Sequence, residues 1–163
     1  MTIDPQRRFF LRGRIATQAP VQPPRPPWAL AEADFLQRCT RCGDCVQACP
    51  EAILLRGDGG YPEVRFSARG CTGCGACVQA CTPAALHRQS GQPPWNWKPK
   101  FSDACLARRK VECRICGEIC DHGAIRFRPT LGGIAQPSLE SERCTGCGAC
   151  VAPCPTQAIS FKP

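Results

Sequence analysis

The residues with the clearest chemical meaning are sixteen cysteines, and their spacing is not random. Three runs fit C-x₂-C-x₂-C-x₃-C without adjustment: Cys39, Cys42, Cys45 and Cys49; Cys71, Cys74, Cys77 and Cys81; and Cys144, Cys147, Cys150 and Cys154. Between the second and the last of these lies an irregular set, in which seven residues separate Cys105 from Cys113, Cys116 and Cys120. Every cysteine falls in one of these four motifs. Thiolate is a soft ligand, and three of them two residues apart wrap a loop round one polynuclear centre, each reaching a different metal. A [4Fe–4S] cubane asks for this, since each iron holds three sulfides and keeps one position for a thiolate. The fourth iron needs a ligand from elsewhere, and in two-cluster ferredoxins the closing cysteine of each run serves the other cluster. All sixteen cysteines are therefore expected to ligate iron, in four [4Fe–4S] clusters.

Zinc and disulfides are the competing uses of cysteine. Zinc ribbons use two separated C-x₂-C pairs and have no need of a further cysteine at this offset. Disulfides need an oxidising compartment, so export has to be weighed. Arg7 and Arg8, followed by Phe9, Phe10 and Leu11, look like a twin-arginine start. Arg12, Gly13 and Arg14 follow, then a proline-rich run from Pro20 to Pro27, so the apolar stretch of a signal peptide is missing. No transmembrane segment is legible. The reading is a cytoplasmic chain with reduced thiols, and the arginines form a solvated basic patch or a docking element.

The elements that position these cysteines repeat with them. Ala52–Leu55 and Ala124–Phe127 read as short strands, each followed by a glycine-rich turn (Gly57 to Gly60; Gly132 and Gly133) and a second extended run into the next motif. Gly43–Ala48, Gly75–Ala80 and Gly148–Pro153 are long enough for one or two helical turns. The fold class is α+β: two tandem bacterial-type 2[4Fe–4S] ferredoxin-like lobes of short strands and short helices. Residues 1 to 35 are a basic, proline-rich arm, 36–90 the first lobe, 91–100 a Pro/Trp linker and 101–163 the second lobe. Trp95 and Trp97 would pack the linker locally. The insertion Arg108-Arg109-Lys110 reads as a solvated loop or a partner-facing one. Small residues inside the motifs (Thr72-Gly73, Gly75-Ala76, Thr145-Gly146, Gly148-Ala149) let backbone N–H groups approach sulfur.

Within a lobe the exchange predicts that Cys39, Cys42 and Cys45 share a cluster with Cys81, and Cys71, Cys74 and Cys77 with Cys49. In the second lobe Cys105, Cys113 and Cys116 take Cys154, while Cys144, Cys147 and Cys150 take Cys120. A nested alternative would exchange Cys49 and Cys154 between the outer motifs.

The formal charge is +8. A tetrathiolate [4Fe–4S] unit carries about −2, so four bring roughly −8 and nearly cancel it. A nucleic-acid partner is disfavoured, because Trp28, Trp95 and Trp97 are not interleaved with basic residues as a stacking surface requires. Catalysis by the chain itself is not expected. His87 ends a strand after the second motif, His122 stands exposed two residues after Cys120, and no nucleophile–base pair or phosphate loop accompanies them.

The chain resembles the NapF family of ferredoxin-type accessory proteins, encoded with periplasmic nitrate reductase. The likeness rests on RRFFLRGR near the start, RPPWA before the first motif, the GDGGYP turn, SDACL with VECRIC in the third motif, and RPTLGGIAQP before the last. The resemblance implies a cytoplasmic protein that acts on the precursor of the nitrate reductase catalytic subunit before export, in assembly of its iron–sulfur cluster. A soluble multi-cluster electron carrier, with a redox partner, is the alternative, and a redox-sensing binding module a further one.

Overall fold

In the computed structural model, which describes residues 24–131 and 133–162, each half of the chain follows one plan. An extended segment enters a cysteine motif, a hairpin links that motif to the next, and a final strand returns to pair with the entering segment. Arg7, Arg8 and the rest of the RRFFLRGR stretch lie outside the described residues.

In the first half, α1 (Glu32–Arg38) delivers Cys39. Glu32 and Asp34 in its first turn and Arg38 in its last suit the helix dipole, and Phe35 is its buried residue. Single-turn helices then follow the second cysteine of three motifs: α2 (Asp44–Gln47), α3 (Ala76–Gln79) and, in the second half, α4 (Ile115–Glu118). Each buries the third cysteine of its motif: Cys45, Cys77 and Cys116. Gly43 and Gly75 precede α2 and α3 at φ 89° and 81°, a conformation glycine adopts freely. The helix expected over Gly148–Pro153 is only a turn. In the other three motifs the turn closes when Ala48, Ala80 or Ile119 donates its N–H to the carbonyl four residues back. Pro153 stands at that position and has no N–H to give.

The hairpins pair β1 (Leu54–Arg56) with β2 (Pro62–Val64), and β4 (Ile125–Thr130) with β5 (Gly133–Leu139), the latter irregular between Arg128 and Thr130. Both first strands start later than Ala52 and Ala124, for a local reason. The third residue after each closing cysteine is left-handed: Ala52 (φ 51°), Ala84 (53°), Gly123 (55°) and Gln157 (49°). Each donates its N–H back to the carbonyl of that cysteine, at 3.1, 3.0, 2.7 and 3.1 Å. A side chain in this region costs about 1–2 kcal/mol, while glycine's extra freedom in the unfolded chain costs roughly 0.4–1 kcal/mol. Ala84→Gly is therefore expected to raise the melting temperature of the loaded protein slightly and Ala84→Val to lower it. A lower melting temperature for the glycine variant would refute the strain.

The entering and returning segments pair as well. β3 (Lys98–Phe101) runs antiparallel to β6 (Ile159–Lys162). Its counterpart in the first half is a bridge between Ala29 and Leu86, flanked by His87 N–H to the Trp28 carbonyl at 2.8 Å and Leu30 N–H to the Ala85 carbonyl at 3.1 Å. Residues 25–30, read as part of an arm, thus belong to the first half, and the segment read as linker becomes a strand at Lys98. Arg25 fastens this stretch. Its guanidinium forks onto Glu32 at 2.7 and 3.0 Å and lies 5.1 Å from the centre of the Phe35 ring.

Two apolar clusters result. One gathers Trp28, Phe35, Ile53, Leu54, Val64, Leu86 and Trp95 with Cys45 and Cys77; the other holds Ile125 and Ile159 with Cys116 and Cys150. The halves meet through aromatic rings. Phe66 stands edge-on to Trp95 (5.6 Å) and 5.7 Å from Phe161, and Trp95 stacks on Trp97 at 5.2 Å. Trp95 also donates its indole N–H to the Arg25 carbonyl.

Candidate metal centres

All sixteen cysteines are free thiols. They gather in four sets, each drawn from two motifs. Cys39, Cys42 and Cys45, with Cys81 from the second motif, line a cavity of ≈ 340 Å³ of atom-free space, open mouth included. Cys105, Cys113 and Cys116, with Cys154, line one of ≈ 350 Å³, and Cys120, with Cys144, Cys147 and Cys150, one of ≈ 330 Å³. Cys49 lies close enough to Cys71 and Cys77 for its charge to raise both, and Cys74 does the same to Cys71. Cys49 is therefore beside the second motif, and Cys154 beside Cys105, Cys113 and Cys116, rather than exchanged between the outer motifs.

The seven-residue insertion after Cys105 closes on itself. Arg109 N–H reaches the Cys105 carbonyl and Val111 N–H the Leu106 carbonyl, with Ala107 buried beneath. The loop spends its length on its own turns, so Cys105 ends beside Cys113 as if the spacing were short, and Arg108, Arg109 and Lys110 are left exposed.

The donor set fits a cluster better than an ion. Among the described residues no three His, Cys, Asp or Glu side chains converge closely enough to hold a single metal ion. The thiols instead stand round three spaces of near-equal size that no side chain fills. On the wall of the fourth-motif cavity, the Thr145 hydroxyl is buried without a partner, and a sulfide-bearing group would supply the acceptor it lacks. Backbone N–H groups already point at thiols: Gly73 to Cys71, Ala124 to Cys120 and Ala158 to Cys154, each at 3.3 Å. The last two follow directly from the left-handed turn after the closing cysteine, which presents the next N–H to its sulfur.

Cationic side chains are laid on the cysteine loops, which composition alone did not locate. Arg56 donates to the Cys42 carbonyl at 2.7 Å, Arg88 to the Gly73 carbonyl at 3.2 Å and Lys98 to the carbonyls of Ser141 and Cys144. The Arg56 guanidinium lies over Gly43, where a Cβ would meet its Nη2 at 2.1 Å. Positive charge so placed favours thiolate and reduced cluster alike. In the sequence these residues are only part of the basic excess; their sole signal is a place one strand beyond, or just before, a motif. Of the histidines, His87 gives its backbone N–H to Trp28, and His122 lines the fourth-motif cavity while its carbonyl accepts from Arg143.

Burial is the main cause pushing up five thiols: Cys45 and Cys71 to about 11, and Cys77, Cys116 and Cys150 to about 12. Neighbouring thiols add repulsion. Such groups are protonated at neutral pH, so ligation must expel their protons. Loading is thus expected to strengthen as pH rises toward these values and to weaken as it falls. Reconstitution at fixed iron and sulfide from about pH 6 to about pH 9, read as bound iron, checks this. Loading that does not vary with pH would count against it.

Residues 38–85 and 111–158 each match the family profile of the 4Fe-4S dicluster domain, which defines the class: an iron–sulfur protein with two dicluster domains for [4Fe–4S] clusters. Cys105 lies just ahead of the second matched span. The chain is 46% identical to the ferredoxin-type protein NapF of Haemophilus influenzae, over 96% of this chain and 93% of that one. It is 48% identical to the NapF of Escherichia coli K12, over 99% and 97%. A methylamine utilization ferredoxin-type protein, MauM of Methylobacillus flagellatus, is 35% identical over 89% of this chain and 68% of its own. The chain belongs to the NapF family of ferredoxin-type proteins. Among the described residues no helix is long and apolar enough to cross a membrane.

Proposed function

We propose that the sixteen cysteines hold four [4Fe–4S] clusters in two tandem lobes, one built on 36–90 with 25–30 paired to it and one on 101–163 entered by the strand from Lys98, and that the protein matures the catalytic subunit of periplasmic nitrate reductase. In this reading it meets the precursor in the cytoplasm, before export, and supports assembly of the precursor's iron–sulfur cluster. In this reading it is an assembly factor and not an enzyme. The observation that carries the cofactor part is the gathering of thiols from paired motifs round cavities of one size. The nitrate reductase part rests on likeness to NapF over nearly the whole chain.

Each cradle's own contribution is to hold four thiolates, exclude water from the third cysteine of the motif and aim N–H groups at sulfur. The bound cluster supplies one-electron chemistry. Two measurements test the proposal. Anaerobically prepared protein should carry about sixteen irons, and about twelve would remove the third motif from the set. Deleting the gene should leave the exported reductase short of its cluster and of activity; full cluster content and activity would defeat the maturation role. The electron-carrier alternative draws on the exposure of Cys42 and Cys74, which leaves two cysteine loops open to a redox partner. Rapid reversible reduction by a physiological donor, without change in cluster content during partner activation, would favour it.

A further inference from the structure

The second and fourth motifs touch directly where the two halves meet. Cys71 N–H donates to the Cys147 carbonyl at 2.7 Å, a hydrogen bond between a cysteine of the first half and one of the second. Gly70 lies so tightly against Ala149 that a Cβ would meet its backbone N at 2.6 Å. The Phe66 ring occupies the space over Gly148, 2.5 Å from where a Cβ would stand, and the carbonyls of Trp95 and Trp97 close on Gly146. Phe66, Gly70 and Cys71 belong to the second motif or its approach and Gly146, Cys147, Gly148 and Ala149 to the fourth, while Trp95 and Trp97 come from the segment between the second and third motifs. The cavities of the first, third and fourth motifs are each lined by residues of their own half, and among the described residues no hydrogen bond of the first or third motif crosses between the halves. Inside each half the inner cysteines share one buried cluster, Cys45 with Cys77 and Cys116 with Cys150.

We infer that the Cys71–Cys147 contact is a bridge that joins the four sites in one line, in the order first, second, fourth, third motif. This rests on the cluster assignment proposed above and goes beyond it, because four clusters in two separate lobes need not communicate. The bridge makes the second and fourth sites the inner pair and the first and third sites the ends. The ends are chemically alike: Arg38 and Arg41 with exposed Leu36 flank one, and Arg108, Arg109 and Lys110 with exposed Val111 and Ile115 flank the other. With clusters held at these sites, the line would let one electron from a low-potential reductant at either end move from site to site with no bond or proton exchanged, and the chain's own part is to keep neighbouring thiol sets together. Gly70 is a positioning residue for the bridge, since only a hydrogen fits against Ala149.

The test uses the full chain, reduced anaerobically with dithionite, and reads iron content and electron paramagnetic resonance rather than activity. Cys42→Ser with Cys113→Ser removes the two end sites and should leave about eight irons whose spins interact as one broadened pair. Two independent, narrow signals at that iron content would overturn the bridge. In the otherwise unaltered chain, Gly70→Val should keep about sixteen irons yet lose the coupling between halves, seen as slower spin relaxation of the inner pair. Full iron with relaxation unchanged from the parent would overturn the bridge as well. Iron well short of sixteen in the parent chain would be a failure of the cluster assignment instead.

Discussion

Withdrawing iron from the loaded chain is expected to abolish its cooperative melting and to cost the second half most of its secondary structure. The reason lies in what is buried. Among the described residues the second apolar cluster has Ile125 and Ile159 as its only buried large aliphatics beside Cys116 and Cys150, with Phe101, Phe127, Leu139, Val151 and Phe161 packed half-exposed against it. Two isoleucines contribute about 3–6 kcal/mol and each half-exposed side chain less, too little together to offset the ordering of a segment this long. Ala107, Ala124 and Ala158 are buried nearby and add little area. The strands that frame it are paired only two by two, and a lone two-stranded sheet is marginal in water. Ligand binding must then be the folding energy, as in other small metal domains. The first half has Trp28, Phe35, Leu54, Leu86 and Trp95 in its core and should keep partial, loosely packed structure. Anaerobic chelation followed by circular dichroism during heating checks this. A metal-free chain that melts cooperatively near the loaded protein's temperature would show that the clusters are passengers.

Replacing Cys154 by alanine is expected to remove about four irons, and to remove them from the site of the third motif rather than from its own. Cys154 lines the cavity with Cys105, Cys113 and Cys116, while its neighbours Cys144, Cys147 and Cys150 face Cys120. The sulfur also receives the Ala158 N–H at 3.3 Å, so its loss loosens the turn that feeds β6. Cys120→Ala is the mirror experiment and should empty the site of the fourth motif. The two variants are distinguishable because the fourth-motif site is tied to the first half by the Cys147 carbonyl, which accepts the Cys71 N–H. Spectroscopic loss of the same cluster in both variants would refute the exchange. The Cys154 variant should also melt about 2–5 kcal/mol less stably, on the scale seen when a structural staple is lost from a small domain.

The cysteine motifs, the hairpins and two of the three single-turn helices were legible because each is written locally, in spacing or in glycine; α4, which follows Arg114 rather than a glycine, was not. The pairing of Trp28–Leu30 with Ala85–His87 was not. It rests on one bridge and two flanking hydrogen bonds, too short for any alternation of apolar residues to declare it. One clue was present: Pro26-Pro27-Trp28 and Pro93-Pro94-Trp95 are the same tripeptide, each just ahead of a half, and the two segments meet where Trp28 N–H reaches the Pro94 carbonyl. The turn at Gly148–Pro153 was misread as helix because the motif's likeness to the second one hides a single missing N–H at Pro153. Left-handed Ala52, Ala84 and Gln157 carry no sequence signal, since the surrounding hydrogen bonds impose what the residue itself disfavours.

The interleaving of ligands within each half sets an order on biosynthesis. The first half is closed by Leu86 and His87, and its last thiol is Cys81, so everything it needs has been synthesised before Cys105 is reached. Its two sites can be filled while the later residues are still being added. The site containing Cys105 must wait for Cys154, and until then Cys105, Cys113, Cys116 and Cys120 are a run of reactive thiols with no complete cradle. Oxidants or stray metals encountered during translation would therefore strike the second half first, and under iron limitation the half-loaded species that accumulates should be filled from its N-terminal side.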